Sequence, residues 1–394
     1  MKLAMIGFGQ AGGKILDKFI EYDKKAGSSI VRAAVAVNTA KADLMGLQHV
    51  PSENRVLIGQ SRVKGHGVGA DNELGAEIAE EDIDEIQGAI DNIPVHEVDA
   101  FLIISGLGGG TGSGGSPVIA KHLKRIYTEP VYGLGVLPGG DEGGIYTLNA
   151  ARSFQTFVRE VDNLLVFDND AWRKSGESVE SGYAEINEEI VTRFGILFGA
   201  GEVEVGGEVA ESVVDSSEII NTLAGGGVST VGYASESVRN EQANGGLLSR
   251  FTGGSSGPDP SDTANTTNRI TSLVRKAALG RLTLPCEIDG AERALLVMAG
   301  PSAYLNRKGI ERGRKWLEEQ TGSMEVRGGD YPVPSSSKVA SVVLLSGVTN
   351  VPRIKELQQV AIEAQENIEE LRSKSESNLQ DLVQDDQDEL DPLF

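Results

Sequence analysis

Apolar runs at residues 2–8, 31–37, 99–105 and 131–137 dominate the first third of the chain. They are continuous rather than alternating, which is the pattern of strands buried on both faces. The first runs into Gly9-Gln10-Ala11-Gly12-Gly13-Lys14 and then a helical pattern carrying Ile15, Leu16, Phe19 and Ile20. The second ends at Asn38-Thr39 and the fourth at Pro138-Gly139-Gly140. The third leads into a second glycine-rich stretch, Gly108-Gly109-Gly110-Thr111-Gly112-Ser113-Gly114, and a helix through Val118, Ile119 and Leu123. Strands alternating with helices in this way predict an α/β domain built on a parallel sheet, here over residues 1–177.

Residues 178–200 read as a long central helix, with Tyr183, Ile186, Ile190, Val191, Phe194 and Leu197 on one side. A second, smaller α+β unit follows over 201–350, with strands near 293–299 and 339–346 and a helix near 307–319. Within it, the polar, Gly/Ser/Pro-rich stretch 240–262 predicts a surface loop. Residues 351–374 form a further helix, whose apolar stripe is expected to pack on the body. No base follows Lys374, and acids accumulate, so 375–394 is expected to be a disordered acidic tail ending in apolar Leu393-Phe394.

A length of 394 residues accommodates two domains, each burying its own core. The formal charge of −22 excludes a nucleic-acid partner, because no basic stripe is available to displace counterions. The acidity fits a cation-binding or assembly role, or a salty cytoplasm. The second is preferred because the acids are spread along the chain, and salt would screen their repulsion. Cys286 is the only cysteine and the four histidines are scattered, so the chain shows no metal-ligand spacing. The chain enters a strand at once, leaving no room for a signal peptide, and no apolar run reaches membrane-span length, which reads as cytoplasmic.

Gly7-Phe8-Gly9-Gln10-Ala11-Gly12 fits a dinucleotide-binding turn, but the second strand ends in Asn38-Thr39 where a ribose-holding acid is expected. A Walker loop fails at Phe8 and Ile15. The second glycine loop is decisive. Two such loops at neighbouring strand ends can hold one polyphosphate between two helix N-termini, with the Thr111 and Ser113 hydroxyls as further donors.

The run from Gly108 to Gly114 resembles the signature of the tubulin/FtsZ superfamily, and its surroundings agree in order and spacing over roughly residues 1–350. Gly9-Gln10-Ala11-Gly12 is similar to that family's first nucleotide loop in its tubulin form, and Ala36-Val37-Asn38-Thr39 to the second. Gly65 to Asp71, including Gly69 and Ala70, resembles the loop facing the γ-phosphate. Pro138 to Gly143, with Glu142, resembles the ribose-facing loop, and Val166 to Asp170 the sixth loop. Tyr183 and Asn187 fall at the ring-stacking and guanine-reading positions, where an amide supplies both a donor and an acceptor. Without the family, Tyr183 reads equally well as a core aromatic. Lys14 in place of an amide, Tyr146 near the place of an Arg, and the acidic tail favour the archaeal CetZ branch, whose members act in cell shape and motility.

The resemblance implies GTP/GDP and Mg²⁺ as ligands and head-to-tail assembly of the chain with itself into filaments. It also implies hydrolysis at subunit contacts, where Asp215 and Glu218 act on the neighbouring copy's nucleotide. Read without the family, Asp215 is a helix N-cap and Glu218 the third residue of a capping box. A non-hydrolysing GTP-gated scaffold and an NAD-dependent oxidoreductase are the alternatives. The acidic tail is expected to meet an adaptor or membrane-linked partner.

Overall fold

A computed structural model describes residues 1–173, 179–200, 214–238, 260–334 and 336–384. Its strands are β1 (Leu3–Phe8), β2 (Val31–Asn38), β3 (Arg55–Leu57), β4 (Ala100–Gly106), β5 (Val131–Leu137), β6 (Asn163–Asp168), β7 (Val228–Ser237), β8 (Arg293–Gly300), β9 (Glu325–Pro332) and β10 (Lys338–Ser346). Its helices are α1 (Gly9–Ala26), α2 (Lys41–Met45), α3 (Gln60–Val63), α4 (Asn72–Glu81), α5 (Ile83–Ile90), α6 (Thr111–Ile126), α7 (Gly144–Glu160), α8 (Asn169–Trp172), α9 (Val179–Gly199), α10 (Ser216–Leu223), α11 (Pro260–Leu279), α12 (Arg307–Thr321) and α13 (Pro352–Gln384).

All ten strands join one sheet in the order β3-β2-β1-β4-β5-β6-β7-β10-β8-β9. Pairing is parallel from β3 through β7, and β10 enters antiparallel to both β7 and β8. Every residue of β1 is buried, and successive side chains serve opposite faces. Leu3 and Met5 pack with Leu102 and Ile104 beneath α1 and α9, through Phe19, Phe194 and Phe198. Ala4, Ile6 and Phe8 pack with Phe101 and Ile103 beneath α6 and α7, through Ile119, Leu123 and Phe157.

Both clusters continue across β7. Leu295, Val297, Val342 and Leu344 extend the first, while Leu296, Val343, Ile270 and Val274 extend the second. The cores therefore follow the two faces of the sheet, not the one-per-domain division that chain length suggested. The cause is the unbroken sheet, whose period-2 alternation carries each face from one domain into the other.

The seam between the domains is short, since only Leu164–Val228 and Leu165–Ser229 pair across it. A buried polar knot reinforces it. Asn163, fully buried, donates through Nδ2 to Leu223 O (3.1 Å), Gly226 O (3.0 Å) and Ser346 Oγ (3.0 Å). Ser229 Oγ donates back to Asn163 Oδ1 at 2.7 Å.

Two expectations change. Most of the 240–262 stretch lies outside the described residues, but from Pro260 onward the chain is helical in α11. The last helix does not stop at 374; α13 runs to Gln384, and only 385–394 of the expected tail lie outside the described part. Residues 375–384 contain no Gly or Pro and several good helix formers, so nothing in them ends a helix already under way.

Replacing Asn163 by Leu should strand buried carbonyl and hydroxyl groups on both sides of the seam. We expect a loss of about 3 kcal/mol in unfolding free energy, read by denaturant titration, together with faster proteolysis between β6 and β7.

Candidate nucleotide site

β1 and β4 are sheet neighbours, yet the chain leaves β1 toward β2 on one side and meets β4 only after returning to the other. Such a switch point opens a crevice at the carboxyl ends of the strands. Here it holds a cavity of about 410 Å³. α1 starts directly after β1 and α6 four residues after β4 ends, so both helix N-termini face it. Neither helix has a side-chain cap or an acidic residue in its first turn, which leaves N–H groups and positive dipole ends free for an anion.

Of the expected ligand-contacting residues, Gly9, Gln10, Ala11, Asn38, Gly69, Ala70, Gly108, Gly109, Gly110, Thr111, Gly112, Glu142, Tyr183 and Asn187 line this cavity. Gly12, Ser113 and Gly114 do not. A Cβ at Gly12 would stand 2.1 Å from the Ile104 carbonyl oxygen, and one at Gly114 2.1 Å from that of Asn72. Those glycines let α1 seat against β4 and α6 against α4, one layer behind the cavity wall. The Ser113 hydroxyl is likewise taken, donating to the carbonyl of Gly109 in its own loop. Thr111 shares a 2.6 Å hydroxyl–hydroxyl bond with buried Thr39, which ties the second and fourth strand ends together.

Four side chains that the sequence reading did not select shape the site. Asp43 accepts from Gln10 Nε2 (2.9 Å) and Asn38 Nδ2 (3.1 Å), and so orients two cavity amides at once. Asn149, 1% exposed, donates to Ala70 O (2.7 Å) and Gly108 O (3.1 Å), clamping the 65–71 loop onto the glycine loop. That clamp holds Ala70 at φ 64°, a left-handed conformation costly for a residue with a Cβ. Asn169 lines the cavity with a buried Oδ1 that has no hydrogen-bond partner among the described residues. Arg353, at the start of α13, reaches back to Asp168 (3.3 Å) and to Pro138 O (3.1 Å). Burial still pushes the Asp168 carboxyl up to about 6 against that guanidinium. Only Asn169 left a signal in the sequence, inside the Asp-Asn-Asp end of β6; the others depend on loops meeting in space.

Glu142 accepts from the Gly139 amide (2.7 Å). Burial, with a hydrogen bond to Glu142, raises the Tyr183 phenol to about 12, so it stays neutral. Lys14 and Tyr146 also line the cavity. Among the described residues, no group of three or more His, Cys, Asp or Glu side chains is placed to hold a metal ion.

Asp215 and Glu218 lie elsewhere. The last residue of α10, Leu223, is held by Asn163 at the amino end of β6, the edge of the sheet opposite the glycine loops, and the chain entering the helix is held by β9 through Val214 N to Asp330 O (3.4 Å). The Met1 amino group meets Phe198 O at that same edge (2.6 Å), so α9 spans from one edge to the other. Asp215 is the N-cap of α10, accepting from Glu218 N (3.0 Å) and from Ser217 Oγ (2.5 Å), the latter holding its carboxyl below the usual range. The reciprocal half of a capping box is absent. Among the described residues the Glu218 carboxylate has no hydrogen-bond partner, and burial followed by the Asp215 charge raises its pKa.

This architecture and site define a tubulin/FtsZ-type GTPase domain joined to a second domain by a long helix. The tubulin/FtsZ GTPase-domain family matches residues 2–177, and the C-terminal domain of tubulin-like CetZ matches 176–363. CetZ1 of Haloferax volcanii is 83% identical over 373 residues, 94% of each chain. Its solved GDP-bound monomer gives a TM-score of 0.82 at 78% identity, over 93% of this chain and 100% of that one. A GTPγS-bound protofilament of CetZ2 from the same organism gives 0.82 at 45% identity, over 94% and 100%. The chain belongs to the CetZ family, and is a tubulin-like cytoskeletal GTPase.

Asn149→Ala should release the 65–71 loop. Hydrogen exchange in that loop is expected to quicken about 10- to 100-fold, equivalent to ~1–3 kcal/mol of lost local protection, with the rest of the sheet unchanged.

Proposed function

We propose that this chain binds GTP in the cavity, assembles head to tail with further copies, and hydrolyses GTP where two copies meet. One observation carries this reading. Glu218, whose carboxylate has no hydrogen-bond partner among the described residues, lies outside the cavity on the helix that Asn163 ties to the amino end of β6, whereas the two carboxylates that line the cavity among the described residues, Asp43 and Glu142, are already engaged. A single chain thus holds both halves of a hydrolytic site, but apart. Stacking copies head to tail unites them, and such a contact repeats without closing. The GTPγS-bound protofilament of the related CetZ2 supports this.

In this reading the polyphosphate lies across the N-termini of α1 and α6, cradled by Gly9 to Gly12 and Gly108 to Gly114, with Gly69 and Ala70 at its outer end. Glu142 takes the ribose, and Tyr183 stacks on the base. Asn187 and Asn169 read the base edge. The unpartnered Asn169 Oδ1 suits the N–H donors of guanine, whereas adenine offers an acceptor at its ring nitrogen in the same place. Mg²⁺ would be carried by phosphate oxygens, since Mg²⁺ commonly keeps its waters and few protein ligands. Glu218 of the next copy orients the attacking water and accepts its proton, and Asp215 positions Glu218 through the N-cap. The acidic surface and the Haloferax relatives support a cytoplasmic cytoskeletal role in cell shape in a salt-adapted archaeon.

Glu218→Ala should cut phosphate release about 10²- to 10⁴-fold while GTP binding persists. In the unaltered protein, specific activity should climb steeply with concentration. Flat specific activity would remove the shared site, and GTP binding without turnover at any concentration would leave a nucleotide-gated scaffold. Asn169→Ala is expected to weaken GTP binding about 5- to 100-fold and to narrow the preference over ATP, read by competition binding.

A further inference from the structure

The outer surface between α11 and α12 carries a cleft of about 620 Å³, within the size range of ligand sites. Arg275, Lys276, Arg312 and Lys315 line it, with Trp316 in its wall and Glu319 as its only acid. In a chain of net charge −22 this is an inversion: residues 263–286 contain four bases and no acid. The four cleft bases are exposed and make no ion pair among the described residues. The Arg275 guanidinium sits 5.5 Å from the centre of the Trp316 ring, so the cleft offers cations beside an aromatic face. Neither the nucleotide cavity nor the Glu218 helix uses it.

The same chain supplies a complementary segment. Residues 385–394 carry Asp385, Asp386, Asp388, Glu389 and Asp391 with no base, together with apolar Leu390, Leu393 and Phe394. α13 delivers that segment away from its own body. Ala361 packs on Leu148 and Ala151 of α7, and Ala364 already stands beside Gly144, the first residue of α7. The backbone of α13 continues past that point to Gln384, and the side chains described from Gln365 onward, all of them polar, are exposed. From there to Gln384 is a rod of about 30 Å, followed by up to about 33 Å of extended chain. That reach exceeds the roughly 21 Å radius of gyration expected of a compact chain this long.

We propose that the cleft between α11 and α12 binds the acidic, apolar-tipped 385–394 segment of a second copy of this chain, linking molecules side to side. The carboxylates pair with the four bases, while Leu390, Leu393 or Phe394 packs on Trp316. The apolar component matters because salt near 1 M shortens the screening length to about 3 Å and weakens exposed ion pairs. This link is independent of the head-to-tail contact and of turnover, so it can fail while the GTPase reading stands.

The test mixes full-length protein grown in ¹⁴N and ¹⁵N media and treats it with a carbodiimide, which joins lysine amines to adjacent carboxylates. Peptides linking Lys276 or Lys315 to the acids of 385–391 should be found, with mixed isotope pairs among them. Arg275→Glu with Arg312→Glu should cut their yield at least tenfold, leaving both reporter lysines and GTP binding intact. Trp316→Ala should cut it several-fold. If the charge-reversed protein does not fold, Arg275→Gln with Arg312→Gln serves the same purpose. Links found only within one isotope population, a yield indifferent to these changes, or a tail joined only to other lysines would overturn the proposal.

Discussion

β1 and β4 run side by side, with Phe8 opposite Ser105, so α1 and α6 leave the sheet about one strand spacing apart. Two helix N-termini held that close repel each other unless something negative lies between them. Their approach also leaves no room for a side chain where they meet, since a Cβ at Gly9 would stand 2.8 Å from the Gly112 amide nitrogen, while Gly12 and Gly114 seat the two helices on β4 and α4. The glycine loops therefore serve two purposes. Some residues line the cavity, and others let the helices that begin there seat against β4 and α4.

The sheet turns this local arrangement into a polar molecule. Because β1 to β7 all run parallel, the carboxyl-end loops gather at one edge and the amino ends at the other. α9 connects the two, carrying Tyr183 and Asn187 at the cavity and Phe198 at the opposite edge. The knot at Asn163 fixes the end of α10, at Leu223, to the amino end of β6. A chain with a cavity at the carboxyl ends of its strands and a half-buried carboxylate outside that cavity is suited to repetition.

The second domain is less separate than a two-domain reading implies. The ion pair of Arg353 with Asp168 and its hydrogen bond to Pro138 O tie the start of α13 to the loops beside the cavity, and α13 then packs across α7. Charge is distributed in keeping with this layout. The chain carries 58 acids against 36 bases, yet the first turns of α1 and α6 have no acid and the α11–α12 cleft has a single one.

Much of this was legible in the sequence because it rests on local pattern. Continuous apolar runs marked β1, β2, β4 and β5, and glycine runs at their ends marked where a ligand could approach. β7 and β9 were missed: Val228–Ser237 is polar toward its end, and Glu325–Pro332 holds two glycines and a proline, so neither shows a clean strand signal. They are strands because β10 and β8 offer them hydrogen-bonding edges. Asp43, Asn149 and Arg353 were equally hidden, since an amide or a guanidinium acquires its role only from the carbonyl or carboxylate that folding brings to it. The sequence by itself determined which backbone segments could cradle a phosphate chain, through side-chain size and periodicity along neighbouring residues. Tertiary structure alone decided which glycines face the cavity, which hydroxyls are already engaged, and that Glu218 lies outside the cavity, because those depend on contacts between residues distant in the chain.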